Sequence, residues 1–259
     1  MKYLHKPLFS LSTGRTANVT GTFLHRLKVI APLVLLAVWC ISSPIAFAES
    51  SIPKAAVLPP VGGNYGVLSN SWWQWALSIP PASNPVIDTT GKHCAVGQSG
   101  SIWFLAGVFG TGKVTRNDCK VPAHKKLFIP IWNVVNVAIN ADCSHSTDTV
   151  ATLRDFTTPA TDAQDPTTYK VQVDGESIPI LPAYRAGPNN PSFNFNHLSV
   201  ATVNAAFGVN CANGSLNSPP YLGVSDGYYL MLAPLCPGRH TIHFEVPGSQ
   251  NITYNLLVS

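Results

Sequence analysis

Asp226-Gly-Tyr-Tyr-Leu-Met-Leu-Ala233, Arg239-His-Thr-Ile-His-Phe-Glu-Val246 and Asn251-Ile-Thr-Tyr-Asn-Leu-Leu-Val258 are three strand-like runs. The turns Pro237-Gly238 and Pro247-Gly248 separate them. In the second run, alternation sends His240, Ile242, Phe244 and Val246 to one face and Thr241, His243 and Glu245 to the other. The third run puts Ile252, Tyr254, Leu256 and Val258 on one face and Asn251, Thr253 and Asn255 on the other. Paired as a hairpin, the two give one apolar and one polar sheet face, the pattern of an antiparallel sheet packed on one side.

Working outward, the same grammar recurs. Asp174-Gly175 supplies the positive φ angles of a two-residue hairpin turn within Tyr169–Ile180. Ser101–Val108 is apolar at consecutive positions, as expected of a strand covered on both faces. Gly110–Gly112 turns the chain into the more polar run Lys113–Cys119. Lys126–Asn136 follows, its Pro130 marking an edge position or a bulge. Together these runs predict a mainly β fold, an antiparallel β-sandwich or jelly roll with one to three short helices.

The first helix is expected over Asn70–Ile79, stopped by Pro80-Pro81. At 100° per residue, Trp72, Trp75, Ala76 and Ile79 make one stripe, with Trp73 and Leu77 beside it and Ser71, Gln74 and Ser78 opposite. That stripe predicts a helix clamped onto a sheet, with only Trp73 left as a candidate for a binding surface. Two weaker helices are expected at Ser144–Phe156 and Leu198–Phe207, and a polar loop at Thr157–Pro166.

The N-terminus reads as an export signal. Five basic and no acidic residues precede Glu49, and the apolar run Val29–Ile41 leads to the small-residue site Ala46-Phe47-Ala48. The run is 13 residues, short of the ~20 that span a bilayer. The expected organisation is therefore a cleaved signal peptide (1–48), an extended arm (49–69) and one β-sandwich domain (70–259), with no stable membrane span after cleavage. Removing the leader takes five of 16 basic residues and none of the 12 acidic ones, so the mature chain carries a net charge near −1. The basic character belongs to the leader, and nucleic acid is not an expected partner. The expected location is periplasmic or extracellular.

Export makes disulfides accessible. Five cysteines remain, an odd number: Cys94 with Cys119 is the preferred pair, Cys143 with Cys211 the weaker one, and Cys236 is left over. No C-x-x-C, H-E-x-x-H or Asp-rich calcium loop is present, and neither a metal nor a cofactor is expected. His93 beside Cys94 and the Asp142-Cys143-His145 cluster are read as loop residues. Gly97-Gln-Ser-Gly100 is not G-x-S-x-G, and Gly107–Lys113 lacks the hydroxyl residue that completes a phosphate loop.

The segments at 72–80 (WWQWALSIP), 84–91 (NPVIDTTG), 94–110 (CAVGQSGSIWFLAGVFG), 121–133 (VPAHKKLFIPIWN) and 225–246 (SDGYYLMLAPLCPGRHTIHFEV) resemble a group of exported bacterial β-rich proteins. Where this chain has His124, the group pattern has a glycine. The resemblance implies a signal peptide and a β-rich fold, and brings no activity with it.

Polar side chains inside apolar runs must bond to backbone or line a cleft, because burying one unpaired costs roughly 1–3 kcal/mol. Gln98, Asn133 and Asp226 are such residues, and Trp103, Trp132 and Tyr228 offer aromatic surface beside them. His243 with Glu245 is the other candidate, set against the plainer reading of a solvated sheet face. These eight residues define the expected ligand-binding set, with no catalytic residue assigned. The leading functional expectation is a binding module for carbohydrate or another envelope component, with a polysaccharide as partner. The alternatives are an extracytoplasmic hydrolase or lyase using a His/carboxylate pair, and an envelope interaction or assembly protein linked through Cys236. The sequence leaves the oligomeric state open.

Overall fold

A computed structural model of the chain describes residues 55–60, 64–140, 142–208 and 220–259. The expected leader and Cys211 lie outside them. Among the described residues, ten strands form two sheets. The first contains β1 (Ile102–Phe104), β3 (Lys126–Val137), β8 (Tyr221–Leu232) and β6 (Arg185–Ala186) in that order, with β7 (Phe193–Phe195) also on β8. The second runs β2 (Gly112–Val121), β10 (Gln250–Val258), β9 (Gly238–Val246), β4 (Lys170–Val173) and β5 (Glu176–Ser177). The expected hairpin is β9–β10, with Phe244 opposite Ile252 and Ile242 opposite Tyr254. Its apolar face meets the first sheet, so Ile129, Ile131, Leu230 and Leu232 pack with Val171, Ile242, Phe244, Ile252 and Leu256 in one core. The described residues are mainly β, two sheets face to face with three α-helices.

Two pairings depart from an antiparallel plan: β1 lies parallel to β3 and β2 parallel to β10. The first explains why the expected strand Ser101–Val108 shortens to three residues. Leu105 N–H still donates to Phe128 O at 3.0 Å, and beyond it the backbone bonds to side chains instead of a ladder. Ala106 N–H donates to the Tyr254 hydroxyl at 2.9 Å and Val108 N–H to Gln250 Oε1 at 3.2 Å. Pro130 sits in β3 beside a register shift, past the last residue that β1 pairs. His124 turns the chain into β3 with φ 68, a left-handed conformation that favours glycine.

The first sheet is covered on its other face by α1 (Asn64–Ser78), and β8 is accordingly buried at all but one position. The helix starts six residues earlier than expected, taking Asn64–Ser69 from the arm. Buried Tyr65 and Leu68 extend its apolar stripe, and the Tyr65 hydroxyl receives the Met231 N–H at 2.9 Å. Residues 55–60 lie outside helix and strand, with a single bridge from Val57 to Leu232, and Leu58 N–H donates to Met231 O at 2.8 Å. Trp72 and Trp75 are buried and donate their indole N–H groups to Leu105 O and Val96 O at 2.9 and 2.8 Å. Trp73, expected at the margin, is buried as well. All three indoles are core.

The second helix, α2, is Val150–Asp162, six residues later than expected at both ends. Thr149 caps it, its Oγ1 accepting from Thr152 N–H while Thr152 Oγ1 accepts from Thr149 N–H. It runs through Pro159 because Asp155, whose carbonyl loses a donor there, is exposed to water. The third, α3, is Val200–Phe207, capped by Ser199 and ended by Gly208. Cys94 and Cys119 form the expected disulfide. Cys143 is also disulfide-bonded, whereas Cys236 is free and exposed.

Candidate functional site

Three strands of the first sheet place one row of side chains. Tyr228 is the register partner of Trp132 on β3 and of Arg185 on β6, so all three leave the sheet on the same face. Asp226, two residues back along β8, shares that face. Gly227 between them has φ 152, and a Cβ there would lie 2.4 Å from the Trp132 carbonyl. Only glycine lets β3 and β8 approach this closely.

Arg185 organises the row. Its Nε donates to Asp226 Oδ1 at 2.9 Å and its Nη2 to Oδ2 at 2.7 Å, a two-pronged grip on a fully buried carboxylate. Nη1 reaches Asp162 Oδ1 at 2.6 Å, on the last turn of α2. The helix is fixed above the row from its other end: Leu153 packs on Val224 and Ala138, and Asn136 Nδ2 donates to the Leu153 carbonyl at 3.3 Å. The hydrogen bonds to Asp226 raise the proton affinity of Arg185, against the opposing effect of burial, and Asp162 adds to the rise. Burial likewise raises the Tyr228 hydroxyl; Arg185 opposes the shift, and the carboxylates of Asp226, Asp162 and Asp165 add to it. Tyr169 meets Tyr228 edge-on at 5.9 Å. Trp132 stays partly exposed, as does Asp162.

The opposite face of the same strand carries a second polar network, under α1. Ser69 Oγ lies 2.8 Å from Ser225 Oγ and donates to the Tyr229 hydroxyl at 2.7 Å; Ser225 Oγ donates to Asn70 Oδ1 at 2.9 Å. Burial raises the Tyr229 hydroxyl, while Ser69, Asn133 and Trp73 act in the other direction. Trp73 Nε1 and Asn133 Nδ2 nevertheless fall outside hydrogen-bond geometry. This network is sealed and joins helix to sheet.

The eight residues expected at a site thus fall into separate places. Trp132, Asp226 and Tyr228 come together. Asn133 is their neighbour in sequence but faces α1. Gln98 is a turn fastener, donating to Cys94 O and Phe104 O at 2.9 and 2.8 Å and accepting Phe104 N–H at 2.9 Å. Trp103 is buried in the core between the sheets. His243 and Glu245 lie on the outer face of the second sheet, where His243 Nε2 is 3.3 Å from Asn251 Oδ1 and Glu245 pairs with Lys170 at 3.5 Å. The residue that sequence reasoning missed is Arg185. The available signal was scarcity: only four arginines follow residue 48, and one inside a Pro- and Gly-rich loop needs a partner.

Among the described residues, no group of three or more His, Cys, Asp or Glu side chains is arranged to hold a metal ion. No helix among them is long and apolar enough to cross a membrane. No protein-family model matches the chain, and no curated protein matches it. Among solved structures, "Structure of PbICP-C in complex with falcipain-2" aligns with 62% of this chain and 100% of that chain at 11% identity and a TM-score of 0.22. A likeness that slight carries no argument about fold or activity.

Proposed function

We propose that the chain is an exported binding module that takes a carbohydrate, or another envelope component, at the Trp132–Tyr228–Arg185 row. One observation carries the reading: a partly exposed indole stands in register with a tyrosine and an arginine, with the Asp162 carboxylate open to solvent beside them. Sugar recognition uses this combination, an aromatic face for the apolar side of a ring and fixed charged groups for its hydroxyls. Asp226 positions Arg185 and is itself sealed. The Cys94–Cys119 disulfide supports an oxidising location. Retention of the mature chain on a panel of insoluble and immobilised polysaccharides tests the reading. Binding should fall at least about tenfold in Trp132→Ala, the worth of one good aromatic contact, and persist in Trp132→Phe. Uniform failure of the wild type to bind any of them removes it.

A second reading, an envelope assembly protein, draws on the exposed free thiol of Cys236. It requires a thiol-sensitive dimer on non-reducing gels that Cys236→Ser abolishes.

A further inference from the structure

Two segments outside the sheet ladders meet at one buried imidazole. Asp174 opens the β4–β5 turn in a left-handed conformation, φ 52, and Cys236 lies in the connection between β8 and β9. His240 on β9 points inward between them and is 6% exposed. Its Nδ1 is 2.7 Å from Asp174 Oδ2, and its Nε2 is 2.7 Å from the Cys236 carbonyl oxygen. The other carboxylate oxygen of Asp174 accepts the Thr241 N–H at 2.8 Å, which fixes its orientation.

Both partners of the ring are acceptors. A neutral imidazole has one N–H and can satisfy only one of them, leaving a bare lone pair against the other oxygen. We infer that His240 carries a proton on each nitrogen in the folded protein and acts as a proton-dependent clamp between the Asp174 turn and the Cys236 loop. The proton facing the carboxylate is held by a charge-assisted bond and is the harder to remove. Loss of a proton on raising the pH therefore comes from Nε2 and releases the Cys236 carbonyl. The loop carrying the free thiol loosens while Asp174 keeps its hold.

The surroundings leave few competing charges. The residues paired with His240 and with the adjoining β4 position are Leu256 on β10 and, across from Ile242, Val173. Arg239, next along β9, is exposed, and Glu176 pairs with Val173 on β5. The Cys236 thiol is free and exposed on the released loop itself.

Nitrogen-detected NMR of the histidine rings in the full chain, from about pH 5 to 9, tests this across the histidine range. Both His240 nitrogens should be protonated at neutral pH. Amide exchange across Leu235–Gly238 should speed up about tenfold, corrected for its intrinsic pH dependence, as the ring loses its proton, equivalent to one hydrogen bond. Asp174→Asn should shift that acceleration to lower pH. A singly protonated His240 at neutral pH overturns the clamp, as does exchange that stays constant through the ring's titration.

Discussion

Arg116 and Arg185 of this small domain are stabilised in opposite ways. Arg116, on β2, is 1% exposed, and its guanidinium is spent on backbone carbonyls: Asp88 O at 2.8 Å, Ala106 O at 2.8 Å, Gly107 O at 2.9 Å and Val86 O at 3.3 Å. Its carbon centre lies 5.1 Å from the centroid of the Tyr254 ring. Among the described residues it has no ion pair. Arg185 instead grips Asp226 and reaches solvent through Asp162. A charge held by carbonyls belongs to the loops it staples. A charge held by carboxylates leaves one carboxylate near the surface with capacity to spare. The first arrangement builds a scaffold, and the second is compatible with a site.

The largest expected effect is at the scaffold. Arg116→Met should cost on the order of 4 kcal/mol, because several buried carbonyls lose their donor together. Urea unfolding would measure it as a lower midpoint at unchanged slope. No single second substitution can repair the loss, since the acceptors are main chain. A cost below about 1 kcal/mol would mean that water replaces the guanidinium freely, and the contrast with Arg185 would disappear.

Asp226→Asn comes next, at about 3 kcal/mol, because it leaves Arg185 buried against a neutral amide. Here repair is available. Arg185→Met combined with Asp226→Leu should return to within about 1 kcal/mol of wild type, since an apolar pair avoids the desolvation of both charges. The same double variant should lose ligand retention if Arg185 contacts the bound molecule. Asp162→Ala, whose carboxylate is 58% exposed, should cost less than about 1 kcal/mol. Equal costs for Asp162 and Asp226 would show that burial does not separate the two carboxylates.

The same contrast marks what could be read from the chain alone. Trp72, Trp75 and Ile79 share a helical stripe, and His240, Ile242, Phe244 and Val246 alternate; both patterns are local, and both faces lie where their periods put them. The Asp174-Gly175 turn is equally local, both residues having positive φ. Arg185 and Asp226 are 41 residues apart, and only the pairing of β6 with β8 brings them together. The parallel pairings of β1 with β3 and β2 with β10 are likewise invisible to periodicity, which orients a strand's faces but says nothing of its neighbour. Arg116 was hidden because charge in a polar edge strand normally faces water. The three site candidates that did converge share β3 and β8, whose bulge and close glycine contact align their side chains.

The smallest effect concerns acid, and it acts on Arg116 at one remove. Carbonyl acceptors have no proton to gain, so the guanidinium's own bonds do not titrate. Asp88, however, supplies one of those carbonyls, and its side chain holds the turn that positions it. Oδ1 accepts Thr90 N–H at 2.8 Å and Thr90 Oγ1 at 2.7 Å, while Oδ2 accepts His93 N–H at 2.9 Å. Burial alone would raise this carboxyl, but those bonds outweigh it and hold it below the usual carboxylate range. A folded value depressed below the unfolded one means that the stabilisation is full at neutral pH and declines as the pH falls through the carboxylate range to the depressed folded value. Asp88→Asn keeps one acceptor oxygen of the two and removes the titration. Melting temperature against pH should therefore fall less steeply in acid for the variant than for wild type, with a small loss at neutral pH. Matching slopes would mean that the turn does not transmit Asp88's protonation to the Arg116 staple.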